Sequence, residues 1–180
     1  MKITENKVTK LVISGSEGLD SISVFIEDFG DGQGGMTTSC WGQAWAYFWG
    51  SMGTGVSMID FFLSADVQYL ANKLFDHERG SKSETDTDSL CRHIMSDIVE
   101  RRKSGDLNKV EARIKFNEAD SWSGDELIND HNTMSDLLGC EWWENLPSRS
   151  TVEWEYIQRI TSAVKEGLAI YKSNKQETES

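Results

Sequence analysis

The first fifty residues carry the alternating apolar pattern of β-strands. Residues 8 to 14 form one such run, and a second places three aliphatic side chains on one face. These three are Ile22, Val24 and Ile26. The glycine-rich segment Gly30–Gly35 suits a hairpin because glycine tolerates positive φ angles, so we expect a third strand from Met36 into Cys40.

An aromatic run after the third predicted strand fits two structures. Trp45, Tyr47 and Trp49 alternate as in a strand, whereas Trp41, Trp45 and Trp49 would share one face of a helix. The sequence leaves both open. In either case we expect Trp41, Trp45 and Trp49 to pack in the core, because regularly spaced aromatic side chains usually do.

The apolar spacing changes to a helical period at residue 57. Ser57 and Asp60 resemble a capping box, with Asp in place of Glu or Gln. The single helix that they open would carry an apolar stripe. Its members are Ile59, Leu63, Leu70 and Leu74. We expect the polar residues 76 to 88 to follow as a loop.

Four further segments have helical signals. We expect helices over Ser89–Lys103, from Asn108 with Glu111 as a capping box, over Thr133–Leu138, and from residue 150 onwards with Ser150 and Glu153 as caps. The helix that begins at Asn108 has an alternative, because a strict apolar alternation in this segment would also suit a strand. It consists of Val110, Ala112, Ile114 and Phe116.

Strands first and helices afterwards predict an α+β fold. We expect an N-terminal antiparallel sheet of about three strands, with about four helices packed on one face. The predicted organisation is a single domain over residues 1–172, followed by a frayed polar tail over residues 173–180.

Composition and charge narrow the class of protein. The chain has 180 residues, 18 Lys and Arg against 30 Asp and Glu, and a formal net charge of −12. No apolar run reaches the roughly 18 residues of a membrane helix. Three widely spaced cysteines do not form a disulfide framework. We therefore expect an acidic protein of a reducing cytoplasm, without membrane association.

Glycine motifs match known enzyme signatures only in letters. Gly30, Gly32 and Gly35 have the spacing of the dinucleotide-binding fingerprint, but a strand-like run follows where that fingerprint needs a helix N-terminus. A kinase glycine loop would need a nearby strand lysine, and no basic residue occurs between Lys10 and Lys73. We expect no enzyme activity and no cofactor.

Five side chains are candidate metal ligands, and none has the spacing of a known site. They are His77, Cys91, His93, His131 and Cys140. On a helix, Cys91 and His93 would point about 200° apart, so they could not share one ion. We expect Cys91 and Cys140 to be small buried side chains, the histidines to lie at the surface, and no metal to be bound.

Acidic side chains are concentrated in one segment. Residues 117–156 contain ten Asp and Glu against Arg149 alone, together with Trp122, Trp142, Trp143 and Trp154, whereas residues 79–115 contain nine basic and seven acidic residues. An acidic surface repels phosphates, so we expect no direct nucleic-acid binding, and it attracts proteins with basic surfaces. The alternative is an ordinary solvated surface. The predicted partner-binding residues are Asp125, Glu126, Asp130, Asp136, Glu141, Trp142 and Glu144.

Several longer strings resemble one group of proteins. The strings are Cys40–Gly53, Asp60–Phe62, Tyr69–Leu74, Gly105–Arg113 and Glu141–Pro147. Together they resemble small, uncharacterised proteins encoded by phages and prophages of enteric bacteria, over about Lys2 to Tyr171. The resemblance implies a phage accessory protein that acts in the host cytoplasm, and it supplies no catalytic residues.

The leading hypothesis is a phage accessory protein that binds and modulates a host protein. The expected target is a nucleic-acid-handling or defence complex, inhibited in the manner of an anti-CRISPR or anti-restriction protein. An acidic face would mimic nucleic acid on the basic surface of the partner. A small metal-dependent enzyme and a phage assembly or structural factor are the alternatives. The oligomeric state stays open.

Overall fold

The computed structural model describes residues 1–75 and 80–178. The chain groups into two compact units, which we describe separately. The first comprises Met1–Ser81 and Val152–Ser180, and the second comprises Lys82–Thr151. The single domain over residues 1–172 stays a prediction.

The described elements follow an order of strands and then mainly helices, which confirms the α+β fold. The strands are β1 (Thr9–Ile13), β2 (Ile22–Gly30), β3 (Gln33–Cys40), β4 (Gln43–Trp49), β5 (Ser83–Thr85) and β6 (Ser148–Ser150). The helices are α1 (Met58–Ser64), α2 (Val67–Leu74), α3 (Thr87–Ser104), α4 (Lys109–Asp120), α5 (Gly124–Leu127), α6 (His131–Leu138) and α7 (Val152–Thr178), with a 3₁₀ turn at Trp142–Asn145.

The first unit is built on a four-stranded antiparallel sheet in the order β1-β2-β3-β4. The sheet has one strand more than expected because the aromatic run forms β4 and not a helix. Its buried face carries Ile22, Val24 and Ile26 as predicted. Helices α1, α2 and α7 pack with these side chains in one core.

Two-residue turns connect β2 to β3 and β3 to β4. Asp31 and Gly32 form the first turn, with φ angles of 50° and 71°. Trp41 and Gly42 form the second, with 49° and 79°. Positive φ at both central residues is the geometry that matches the twist of paired strands. The hairpin predicted from the glycine-rich segment is confirmed.

The three tryptophans of the aromatic run have different environments. Trp49 is 3% exposed and belongs to the core, whereas Trp45 is half-buried and packs edge-on against Tyr156 with ring centroids 5.9 Å apart. Trp41 is 84% exposed because it stands in the turn before β4. The prediction of core packing is therefore right for Trp49 and wrong for Trp41.

The apolar stripe from residue 57 belongs to two helices and not to one. Ser57 caps α1, and its hydroxyl oxygen accepts a bond from the Asp60 N–H at 3.1 Å. Asp66 then starts α2 as a new N-cap and accepts from the Tyr69 N–H at 3.2 Å. The second cap interrupts the helix that the apolar spacing alone predicts.

The last helix is longer than expected, and it starts differently. α7 begins at Val152 and continues to Thr178, so residues 173–178 are its exposed last turns. Ser150, predicted to cap this helix, belongs to β6 and pairs with Ser83 of β5. The buried side chains of α7 include Ile157, Val164 and Leu168.

The second unit is a small helical group closed by the short pair β5 and β6. The predicted inward side chains of α3 are all buried, namely Leu90, Ile94 and Ile98. They pack with apolar residues of α4, α5 and α6 in a second core. β5 lies within the segment predicted as a loop, of which residues 76–79 are outside the described part.

Helix α4 settles the choice between helix and strand for the alternating segment. The Asn108 side chain accepts from the N–H groups of Val110 and Glu111, and the Glu111 carboxylate accepts from the Asn108 N–H at 2.9 Å. This is the complete capping box. The capping residues predict the structure correctly, and the alternation does not.

Candidate functional site

Five of the seven predicted partner-binding residues lie on three elements of the second unit, and the other two, Asp130 and Glu141, are N-cap residues of such elements. Asp125 and Glu126 belong to α5, and Asp136 belongs to α6. Trp142 and Glu144 belong to the 3₁₀ turn. Helix α6 packs against both α5 and the 3₁₀ turn. The fold therefore brings these parts of the acidic segment together.

Trp142 is buried in the core of the second unit. Its side chain is 7% exposed and packs against the His131 ring with centroids 5.1 Å apart. This burial leaves little of the Trp142 indole accessible to a partner, and its role in binding stays a prediction. Its neighbour Trp143 is 56% exposed, and the two indoles meet edge to face at 5.9 Å.

Two of the predicted carboxylates cap helices. Glu126 accepts hydrogen bonds from the hydroxyl and the N–H of Ser123, which lower the pKa of the Glu126 carboxyl. Asp130 caps α6 and accepts from the N–H groups of Asn132 and Thr133, both at 3.1 Å. Hydrogen bonds from backbone N–H groups hold both carboxylates in position.

A third predicted carboxylate is paired with a cation. The ammonium of Lys115 on α4 forms an ion pair with the Asp136 carboxylate and also donates to the Asp136 carbonyl oxygen at 2.6 Å. This contact joins α4 to α6. The charge of Asp136 is largely balanced, and its first role is structural.

The other three carboxylates point into solvent. Asp125, Glu141 and Glu144 are exposed. Within the described residues, their carboxylate oxygens make no hydrogen bond or ion pair. We define the acidic face as Asp125, Glu126, Asp130, Glu141, Trp143 and Glu144. It offers fixed and mobile negative charges beside one exposed indole.

A second candidate surface lies in the first unit, beside the β3–β4 turn. A cavity of about 690 Å³ is bordered by four aromatic side chains and two carboxylates. They are Trp41, Trp45, Phe75, Tyr156, Asp20 and Glu153. Trp41 holds a left-handed φ of 49°, which is rare for a bulky residue. A strained, exposed aromatic side chain beside a cavity is a candidate contact residue.

Comparison with known families identifies the chain. A family model described as a phage family, Phage_phiTE_072, matches residues 1–169. The chain belongs to this phage family. The match extends across nearly the whole sequence and confirms the resemblance to phage-encoded proteins. No curated protein and no solved structure matches the phage protein.

The candidate metal ligands of the phage protein do not meet in the described structure. Within residues 1–75 and 80–178, no three His, Cys, Asp or Glu side chains are arranged to hold a metal ion. His77 lies outside the described residues. His93 is half-buried, and His131 is exposed with its ring against Trp142.

The three thiols of the phage protein differ in access to solvent. Cys140 is exposed, which corrects the prediction that it is buried, and Cys91 is half-buried. The Cys91 thiol donates to the Trp122 carbonyl oxygen at 3.2 Å, and burial raises its pKa. Cys40 is buried and accepts a bond from the Tyr156 hydroxyl at 3.2 Å, which raises the pKa of Tyr156 to about 12. The raised pKa of Cys91 favours the protonated thiol, which is a poor nucleophile.

Hydropathy of the helices bears on the membrane prediction. Among the described residues of the phage protein, no helix combines the length and the apolar character needed to cross a bilayer.

Two exposed tryptophans, Trp41 and Trp143, are contact candidates that are absent from the predicted partner-binding residues. Trp41 precedes Gly42 between two strand patterns, and a glycine suits the second position of a two-residue hairpin turn because that position needs a positive φ. That signal could have placed Trp41 outside the core. For Trp142 and Trp143 the sequence holds no equivalent signal. Adjacent residues of a 3₁₀ turn face different directions, and the sequence does not show which of the two faces the core.

Proposed function

We propose that this phage protein is a binding protein and not an enzyme, and that it acts on a host protein through the acidic face of its second unit. The proposed partner has a basic surface that normally contacts nucleic acid. By covering that surface, the phage protein would inhibit a nucleic-acid-handling or defence complex.

The proposal rests mainly on the surroundings of Trp143. Its indole is 56% exposed and is supported edge-on by the buried Trp142 at 5.9 Å. Glu141 and Glu144 flank it with carboxylates that have no partner among the described residues. A rigid aromatic anchor within a charged rim is the arrangement found at the energetic centre of many interfaces.

Fixed charges strengthen the proposed mimicry of phosphates. Glu126 and Asp130 hold their carboxylates in place through backbone N–H groups, so little side-chain freedom is lost when a partner binds. Asp125, Glu141 and Glu144 can adjust to the arginines and lysines of the partner. Such contacts accelerate association and weaken as salt is added.

The decisive experiment is a pull-down from bacterial host lysate with a charge-reversal variant and a matched control. Asp125, Glu141 and Glu144 are changed together to Lys in the first variant. Glu155, Glu166 and Glu177 on α7, which are also exposed, are changed to Lys in the control. Both variants undergo the same change in net charge, and only the first alters the acidic face.

We expect the wild type and the control to retain a common protein that the first variant loses. The captured protein should elute at high salt, should bind duplex DNA when purified, and should release the phage protein when duplex DNA is added. Equal capture by all three proteins would contradict the acidic face. A partner that binds DNA and the phage protein simultaneously would contradict mimicry of nucleic acid.

A further inference from the structure

The second unit carries a groove of about 800 Å³ along helices α3 and α4. Its walls include Val99 from α3 and Val110 and Ile114 from α4. These side chains are 40%, 68% and 61% exposed. Large aliphatic side chains with this exposure contribute little to the core, so their contiguous placement needs another explanation.

Helix α4 is apolar on two sides, and only one of them serves the core. Ala112 and Ala119 are buried, at 8% and 0% exposure. Val110 and Ile114 lie four residues apart and form one exposed stripe on the other side. The two apolar sides together produce the strand-like alternation in the sequence, which a helix with a single buried face would not show.

Four cations surround this apolar stripe. Arg102 and Lys103 stand at the end of α3, Lys109 begins α4, and Arg113 follows one turn later. Among the described residues, no carboxylate lines the groove. Lys103 pairs with Glu100 at 2.7 Å in an exposed contact that contributes little to stability. In a chain of net charge −12, such a local excess of cations is unusual.

We propose that this groove binds an acidic amphipathic helix of a partner protein. The apolar side of that helix would cover Val99, Val110 and Ile114, and its carboxylates would meet the surrounding cations. This site goes beyond the proposed function, because it consists of other residues and would bind an acidic partner surface, whereas the acidic face would bind a basic one. The phage protein would thereby hold two partners, or two surfaces of one partner.

Charge and apolar surface together favour an acidic helix over two other occupants of the groove, a second copy of the chain and a nucleic acid. A second copy docked face to face would bring the four cations of one groove against the same four of its mate, which opposes pairing. A nucleic acid would satisfy the cations with phosphates but would leave the aliphatic stripe without a complementary surface. An acidic amphipathic helix complements both features.

The binding test uses two synthetic helical peptides labelled with fluorescein. Both carry leucines at helical spacing, and the remaining positions are mainly Glu in one peptide and mainly Gln in the other. Fluorescence anisotropy with the full-length protein should show binding of the Glu peptide, with affinity at least tenfold above that of the Gln peptide. Tenfold corresponds to about 1.4 kcal/mol.

Two matched pairs of variants locate the binding site. V110S/I114S should weaken binding of the Glu peptide about tenfold or more. I170S, at a position on α7 that is 63% exposed, should leave binding unchanged. R113E on α4 should weaken binding of the Glu peptide about fivefold or more, whereas R92E, exposed on α3 but outside the groove, should change it less than about twofold. Circular dichroism checks that each variant is folded.

Several results would overturn the proposal. These are the absence of Glu-peptide binding, equal binding of both peptides, or equal effects of the groove variants and their controls. Displacement of the peptide by duplex DNA would assign the groove to phosphates. A wild-type dimer that V110S/I114S dissociates in sedimentation would assign it to a second copy. The acidic-face variant should bind the Glu peptide normally, so failure of this proposal and failure of the proposed function are distinguishable.

Discussion

Two glycines of the sheet offer a controlled measurement of how tightly one hairpin turn is packed. Gly32 and Gly42 occupy the second position of consecutive two-residue turns, with similar φ angles of 71° and 79°. A Cβ atom at Gly42 would meet no heavy atom within 4 Å, whereas one at Gly32 would lie 2.2 Å from the carbonyl oxygen of Gly53. Alanine therefore tests the same backbone conformation with and without a close contact.

The expected losses of stability differ about threefold. A non-glycine residue in the left-handed region costs about 1–2 kcal/mol, and alanine recovers about 0.4–1 kcal/mol by restricting the unfolded chain. Gly42→Ala should thus destabilise by about 1 kcal/mol. Gly32→Ala adds displacement of the Gly53 segment, which weakens the 2.7 Å bond from the Met52 N–H to the Gly32 carbonyl and disturbs buried Met52. We expect a total of about 3 kcal/mol.

The measurement is thermal and urea unfolding of both variants beside the wild type. For a chain of this length, about 1 kcal/mol lowers Tm by about 2–4 °C. Gly42→Ala should therefore shift Tm by that amount, and Gly32→Ala by about 6–12 °C. Equal shifts for the two variants would refute the argument, because the contact with Gly53 would then have no energetic weight.

Three further predictions concern other contacts. Arg101→Ala should destabilise the protein by about 1–2 kcal/mol in thermal unfolding, because the guanidinium donates to the Leu137 carbonyl at 2.7 Å from a side chain only 31% exposed. Asp60→Asn should be destabilising at neutral pH, since the hydrogen bond from Lys172 lowers the pKa of Asp60. The carboxylate stabilises above its unfolded pKa of about 3.9 and loses that effect as the pH falls through its folded value, so urea unfolding of variant and wild type should converge in acid. Cys140→Ser should remove the fastest thiol from a titration with Ellman's reagent, because Cys140 is the exposed cysteine.

Most of the fold could be predicted from local signals in the sequence. Alternation places Ile22 and its neighbours on the buried face of β2, and a capping box starts α4 at Asn108. Prediction fails where a polar residue caps a new helix although the apolar spacing continues through it. Asp66 divides one predicted helix into α1 and α2, although the stripe through Leu63 and Leu70 runs on without interruption.

The candidate site could be predicted by segment but not by residue. Charge density selects a segment that lies within the second unit. It does not distinguish a free carboxylate such as Glu144 from Asp136, which is paired with Lys115 from another helix. It also does not distinguish Trp142 from Trp143, because a turn of the backbone decides which indole is buried. These outcomes depend on tertiary contacts that no local pattern encodes.

The division of the chain has a consequence for the order in which the protein is made. The second unit is continuous in sequence, and its two ends are held together by β5 and β6 and by a 3.0 Å bond from the Thr151 N–H to the Lys82 carbonyl. A ribosome therefore completes this unit while the first still lacks α7, which supplies Ile157 and Val164 to its core. The N-terminal sheet therefore stays partly uncovered until α7 has been synthesised, so the core of the second unit can close before that of the first.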